Sequence, residues 1–226
     1  MAVQPGDFFV NNRKGVLIAH EGISGSGKSE SARRLYGFLR HKYHKTTVIE
    51  WNSNKTIRHI VRKLNDKRML TPALYSIFQW TGFFIDYFTR MIPLLKRGYI
   101  IIADRYIYTA LTRDAVNGAG LLSSRILYHM VRKPDLLFFY DTHPQVCYKR
   151  INARGKLLFH TNRYILENRL LKNKDLFYLK KLKNEYVRLL SSPEVKKHAN
   201  IIFIGDNYND VGVCVNAYLT RKLNGT

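Results

Sequence analysis

The sequence predicts an α/β fold: a five-stranded parallel sheet with helices on both faces. Three observations carry this. Five short apolar runs, at 15–20, 46–50, 99–103, 136–140 and 201–204, suit strands buried on both sides, and helical material separates each from the next. The first run leads directly into Glu21-Gly22-Ile23-Ser24-Gly25-Ser26-Gly27-Lys28-Ser29, a turn of the form Gly, four residues, Gly-Lys-Ser, and then into Ala32, Leu35, Tyr36 and Leu39 at helical spacing. A length of 226 residues, 46% of them hydrophobic, suits a single domain with a substantial core, and no repeat or low-complexity linker divides it.

Taken in order, residues 1–13 have no clear periodicity and read as a loosely packed extension. The second run, 46–50, ends in a carboxylate, Glu50. Asn52-Ser53-Asn54 then reads as a turn or helix cap before a short helix at 56–64. Pro72 opens a long helix running to residue 96, where Pro93 allows a kink. That helix is apolar on nearly all faces, so one side is expected to meet the core and another a partner subunit, giving a homodimer. Gly98 ends it, and the third run passes at once into Asp104-Arg105-Tyr106.

Helical material over 107–132 is broken at Asn117-Gly118-Ala119-Gly120, and Pro134-Asp135 turns the chain into the fourth run. Pro144 starts a helix that reaches Arg150 and Arg154; the irregular, basic segment after it reads as a mobile loop, so that a small lid spans about 150–164. Helices are expected at 176–190 and, after the fifth run, at 211–223. Ligand then belongs at the carboxyl ends of the strands, where Glu50, Asp104 and Asp141 fall.

A net charge of +22 has two readings, a polyanionic partner or a basic solvated surface. Lys180, Lys181, Lys183, Lys196 and Lys197 lie on an exposed helix and just beyond it, without interleaved aromatics, which favours the solvated surface over a nucleic-acid partner. Cys147 and Cys214 stand in no metal spacing and read as buried thiols in a reducing compartment. The start of the chain lacks the pattern of a secretory signal. The most apolar stretch, 70–95, carries Gln79, Asp86 and Arg90, which argues for a buried helix against a membrane span. The expected setting is soluble and cytoplasmic.

The chemistry starts from Gly22, Ser24, Gly25, Ser26, Gly27, Lys28 and Ser29. Glycines let this backbone fold round an anion, so that N–H groups and the positive helix end point at phosphate. Lys28 is expected to reach the β- and γ-phosphates of a nucleoside triphosphate, and the Ser29 hydroxyl to hold Mg²⁺. Asp104, at the end of a buried strand, is the second expected Mg²⁺ ligand. Arg105 beside it can hold phosphate through two parallel hydrogen bonds. Arg150 and Arg154, one helical turn apart at the edge of the lid, are expected to close over the triphosphate and neutralise transition-state charge.

A wider pattern surrounds these residues. Glu-Gly precedes the phosphate loop, Ile92-Pro93-Leu94-Leu95 is followed by Gly98, and Asp104-Arg105-Tyr106, Pro134-Asp135 and the run Tyr148-Lys149-Arg150-Ile151-Asn152-Ala153-Arg154-Gly155 come in that order. Over roughly 15–186 this resembles the thymidylate kinase family. The resemblance implies a P-loop kinase fold, ATP, Mg²⁺, a homodimer, and transfer to a nucleoside monophosphate with dTMP as the default acceptor.

Departures from the family pattern gather on the acceptor side. Ser24 stands where the family has an acidic residue, and Glu50-Trp51-Asn52 where a Glu-Pro or arginine-bearing segment holds the acceptor phosphate. Counted from Pro93, the base-stacking aromatic falls on Gln79 and its companion arginine on Phe83. The acceptor site is thus expected from Glu50, Trp51, Gln79, Phe83, Arg105 and Tyr106, and the missing pair predicts that dTMP is used poorly beside the true acceptor. Gly-Ser-Gly-Lys-Ser, Phe78-Gln79 and Asp104-Arg105-Tyr106-Ile107-Tyr108 also resemble deoxynucleoside kinases. The alternative is therefore a deoxynucleoside kinase, or a divergent small-molecule kinase, with a hydroxyl acceptor and Glu50 as base. A nucleic-acid-binding P-loop ATPase ranks below both, because no apolar strand ends in Asp-Glu.

Overall fold

The computed structural model describes residues 15–119, 121–155, 158, 161–205 and 210–224. Residues 1–13, the expected extension, and Lys156, Leu157, Phe159 and His160 of the expected lid lie outside the described residues. All five apolar runs form strands of one sheet: β1 (Val16–Glu21), β2 (Thr46–Glu50), β3 (Ile100–Asp104), β4 (Leu136–Tyr140) and β5 (Asn200–Ile204). The spatial order is β2-β3-β1-β4-β5, and every pairing is parallel. The chain leaves β1 toward β2 and later returns past it to β4, so β1 marks the switch point at which such sheets open a crevice.

Between them lie α1 (Lys28–Lys42), α2 (Lys55–Asp66), α3 (Pro72–Asp86), α4 (Ile92–Lys96), α5 (Ile107–Asn117), α6 (Leu121–His129), α7 (Pro144–Ala153), α8 (Arg163–Glu167), α9 (Lys174–Leu190), α10 (Pro193–His198) and α11 (Asp210–Asn224). The strand period of two divides the apolar side chains between two cores. Ile18, Ile102 and Phe138 point to the face covered by Leu35 and Leu39 of α1 and Val215 and Leu219 of α11. Leu17, Ala19, Ile101 and Phe139 point the other way, against Phe83, Tyr87, Ile107, Tyr178 and Tyr186. The same alternation sends the last residues of the central strands to opposite faces. His20, Asp104 and Glu50 share one row across β1, β3 and β2, whereas Glu21 belongs with Leu17 and Ala19 on the α5 side.

The long helix departs from expectation in an instructive way. It runs from α3 into α4 through a π turn at Tyr87–Met91, in which the Ile92 N–H donates to the Tyr87 carbonyl five residues back. Pro93 has no N–H to give its own turn, and the wider spacing just before it absorbs that loss without a break. At the helix start, Pro72 takes the first position and Thr71 caps it, its hydroxyl accepting the Leu74 N–H at 3.2 Å. Asn54 caps α2 in the same manner, accepting from the N–H groups of Thr56 and Ile57.

Candidate active site

The phosphate loop joins β1 to α1. Gly27 is the N-cap of α1 in a left-handed conformation (φ 91°), and Gly25 is left-handed as well (φ 84°). A Cβ on Gly25 would lie 2.6 Å from the Cys147 carbonyl oxygen, so α7 packs on the loop more closely than any side chain permits. Lys28 is only 4% exposed and donates from Nζ to the Ile23 carbonyl at 3.2 Å. Burial, with the nearby Arg105 cation adding to it, lowers its pKa to about 7, against the opposing pull of Asp104 and Glu21. A lysine held this way lacks counter-charge, which a bound phosphate would supply.

The second component converges from β1, β3, α5 and α9. Glu21 is fully buried. Its Oε1 accepts the backbone N–H groups of Tyr106 (2.8 Å) and Thr109 (3.1 Å), and its Oε2 accepts the Thr109 hydroxyl (2.7 Å) and the Tyr186 hydroxyl (3.0 Å). Helix α5 begins without a side-chain cap of its own, so a carboxylate from β1 caps it instead. Burial raises the Glu21 pKa, while these hydrogen bonds and Arg105 act against the rise. The network anchors Arg105, whose backbone is left-handed (φ 74°) and tied by its N–H to the His20 carbonyl at 3.0 Å. The Arg105 guanidinium donates to the Gly22 carbonyl (3.0 Å) and the Ser24 hydroxyl (3.3 Å). In the sequence Glu21 only flanks the loop, and nothing local betrays a cap supplied across 85 residues.

Asp104 keeps a buried Oδ1 with no partner. His20, its neighbour in register, is held neutral by burial, its pKa lowered to about 4, and pairs with the Tyr140 hydroxyl at 2.8 Å. Asp141 forms an ion pair with Lys183 at 2.8 Å. The two arginines of the expected lid part company. Arg150 donates to the Gly25 carbonyl at 3.3 Å, whereas Arg154 sits exposed at the C-cap of α7.

Beside Arg105 and the ends of β2 and β3 opens a cavity of about 930 Å³. Glu50, Trp51, Gln79, Asp104 and Arg105 line it, as the sequence suggests, but Phe83 and Tyr106 do not. Phe83 is 1% exposed in the core, its ring 5.2 Å from Trp51 and 5.3 Å from Tyr106. Tyr106 is fully buried and donates its hydroxyl to the Arg132 carbonyl at 2.7 Å. Gln79 and Phe83 stand four residues apart on α3, yet Gln79 lines the cavity while Phe83 packs into the aromatic core. The phenylalanine that lines the cavity is Phe78.

Among the lining residues not singled out from the sequence are Arg58 and Arg62 from α2, Tyr75 from α3, and Arg113 from α5. Arg58 donates to the Asn52 carbonyl (2.7 Å) and the Trp51 carbonyl (3.4 Å), fixing the segment after β2. The i, i+4 spacing of Arg58 and Arg62 was the available signal.

Comparison with known proteins decides the family. A family model described as Thymidylate kinase matches residues 20–202. The chain belongs to the thymidylate kinase family. It is similar to the probable thymidylate kinase 2 of Saccharolobus solfataricus, with 36% identity over 145 residues, 64% of this chain and 68% of that protein. The thymidylate kinase of Rickettsia typhi is 30% identical over 147 residues, 63% of this chain and 72% of its own. A crystal structure of thymidylate kinase from Ehrlichia chaffeensis shares only 16% identity, yet matches the fold with a TM-score of 0.62 over 91% of this chain and 98% of that one. As a thymidylate kinase family member the chain is a phosphotransferase with the P-loop kinase fold. These matches do not favour the deoxynucleoside kinase or the nucleic-acid-stimulated ATPase.

Proposed function

We propose that this chain transfers the γ-phosphoryl group of ATP to a nucleoside monophosphate, with dTMP as acceptor and Mg²⁺ as cofactor. The observation that carries this reading is the placement of Arg105, which holds the phosphate loop at Gly22 and Ser24 while lining the adjoining cavity. One guanidinium thereby adjoins both the donor and the acceptor side, where it can help position the two phosphates for in-line transfer. A phosphate acceptor is already ionised near neutral pH and needs cations, not a base. The cavity wall carries five cations, Arg58, Arg62, Arg105, Arg113 and Lys174, against three carboxylates, Glu50, Asp104 and Asp175. That balance supports a phosphate acceptor over a hydroxyl one.

In this reading Gly22 to Ser29 cradle the ATP phosphates, and Lys28 and Arg105 stabilise charge on the moving group. Arg150, already leaning on Gly25, closes over it with Arg154 following from the lid. Mg²⁺ fits the residues present. The unpartnered Asp104 Oδ1 and the Ser29 hydroxyl are hard oxygen donors, and no cluster of three or more His, Cys, Asp or Glu occurs among the described residues. Such a sparse set suits an ion shared with substrate phosphates. Held by Asp104 and Ser29, the ion would offset negative charge on the substrate phosphates.

The expectation that dTMP is a poor acceptor loses its structural premise, since Phe78 supplies an aromatic at the cavity and Phe83 is not part of the wall. Family membership supports dTMP. Ile77, Ile85 and Phe88 leave an apolar strip of α3 and the π turn exposed (58%, 39% and 46%), which supports a homodimer through 72–96. Among the described residues no helix is long and apolar enough to cross a membrane. A single catalytic domain, with an extension at 1–13 and a lid at about 150–164, working in the cytoplasm completes the proposal. Its test is a screen of dTMP, dUMP, dCMP, dGMP and the free nucleosides for ADP release with ATP and Mg²⁺. Turnover with dTMP is expected. Phosphorylation of nucleosides with no monophosphate accepted would overturn it.

A further inference from the structure

The turn between β2 and α2 is gripped from outside the cavity. Asp86, 5% exposed at the end of α3, directs both oxygens at one residue: Oδ2 accepts the Ser53 N–H and Oδ1 the Ser53 hydroxyl, each at 2.9 Å. Arg90, in the π turn, completes the grip by donating to the Ser53 oxygen at 2.7 Å and pairing with Asp86 at 3.7 Å. Before Ser53, Asn52 is left-handed (φ 48°), and its side chain fills the notch at Gly82, where a Cβ would lie 2.8 Å from Oδ1. Left-handed backbone is uncommon outside glycine, even for asparagine, so the turn depends on the contacts around it. The carbonyls of the same turn orient Arg58: Nε donates to Asn52 at 2.7 Å and Nη2 to Trp51 at 3.4 Å. Arg58 and Trp51 line the cavity; Asp86, Ser53 and Arg90 are not among its lining residues.

We propose that Asp86 is a positioning residue for acceptor binding: by gripping Ser53 it fixes the turn whose carbonyls hold the Arg58 guanidinium ready in the cavity wall. This rests on the nucleoside monophosphate reading above and deepens it. The contact is not needed to start α2, because Asn54 already caps that helix at Thr56 and Ile57. An arginine oriented in advance loses less rotamer freedom when an anion arrives. Loosening the turn therefore weakens acceptor binding and leaves the chemical step alone.

The test is a cycle of four full-length chains: unaltered, Asp86→Ala, Arg58→Ala and the double variant. Each is titrated with dTMP by calorimetry and assayed with ATP and Mg²⁺. Asp86→Ala should raise Kd and KM for dTMP by roughly 5- to 10-fold, with kcat and the KM for ATP within about 2-fold of the original. In the Arg58→Ala background the same change should move Kd by less than about 2-fold, because the residue through which Asp86 acts is gone. Asp86→Asn keeps an acceptor for the Ser53 N–H and should recover most of the affinity. A structural role alone would give independent effects in the cycle and would disturb ATP and dTMP together. If Asp86→Ala fails to fold, Ser53→Ala, which removes the hydroxyl contacts only, takes its place in the cycle.

Hydrogen exchange of the ligand-free chain reads the turn by itself. The Ser53 amide should exchange about 10-fold faster in Asp86→Ala, with the amides of β1 and α1 unchanged. Additive effects in the cycle, or a Ser53 amide that exchanges no faster, would overturn the proposal. Binding of dTMP that follows the cycle without phosphoryl transfer would count against the proposed reaction and leave this inference standing. Normal transfer with an additive cycle would do the reverse, and absence of dTMP binding by the unaltered chain would overturn both.

Discussion

The phosphate loop and the cavity proposed to hold the acceptor meet at Arg105, yet they are built in opposite ways. The loop is nine consecutive residues whose function lies in the backbone, in left-handed glycines and a helix start that only a few residue types allow. The cavity gathers side chains from the end of β2, from α2, α3 and α5, and from residues as distant as Asp175. Its function lies in which side chains converge from these separate elements. A site written into local backbone geometry tolerates little change, whereas a site assembled from side chains can be altered one residue at a time.

Substitutions on the two sides should therefore differ in kind. The largest effect is expected at Lys28. Lys28→Ala should lower kcat by about 10³-fold, because the proposed role of Lys28 is to stabilise charge on the transferring group. Circular dichroism and the melting temperature should show an intact fold, and near-normal turnover in a folded variant would place the chemistry elsewhere. Arg150→Ala comes next, with kcat reduced by about 10²-fold and the KM for dTMP little changed, since its contact is with the loop at Gly25. Unchanged kcat in this variant and in the double variant with Arg154→Ala would return both arginines to the solvated surface.

On the acceptor side, Arg58→Ala should raise the KM for dTMP by about 10-fold or more and spare kcat. A fall in kcat with constant KM would mean that Arg58 serves the transition state and not acceptor binding. The smallest effect is expected from Phe83→Leu, a change inside the aromatic core that should cost about 1 kcal/mol of stability in urea unfolding. The KM for dTMP should stay within about 3-fold of the original. A larger rise would show that Phe83 acts on the acceptor through the stacked Trp51.

The same contrast explains how far the sequence could be read. Five apolar runs, a glycine turn between strand and helix, and proline and asparagine caps are short-range signals, and each appears in the structure where it was expected. Where the reading failed, the cause was not local. Phe83, placed at the acceptor by its spacing from Pro93, packs against Trp51 and Tyr106 in the core instead. Arg113 and Tyr75 are 38 residues apart, and nothing in either neighbourhood shows that they meet. Glu21 reads as a strand end, but its carboxylate organises α5 and the backbone of Arg105. Long-range convergence of side chains is decided by packing and crossing geometry, which no short pattern contains.

The central claim is that the γ-phosphoryl group crosses from the loop to a phosphate held in the neighbouring cavity. Phosphorus-31 NMR of the full chain with ATP, Mg²⁺ and dTMP follows that atom directly. The account predicts that the ATP γ-resonance declines as the β-resonance of dTDP grows, with no free phosphate and with the reaction lost in Lys28→Ala. Release of inorganic phosphate without dTDP, or dTDP formation undiminished in Lys28→Ala, would contradict it.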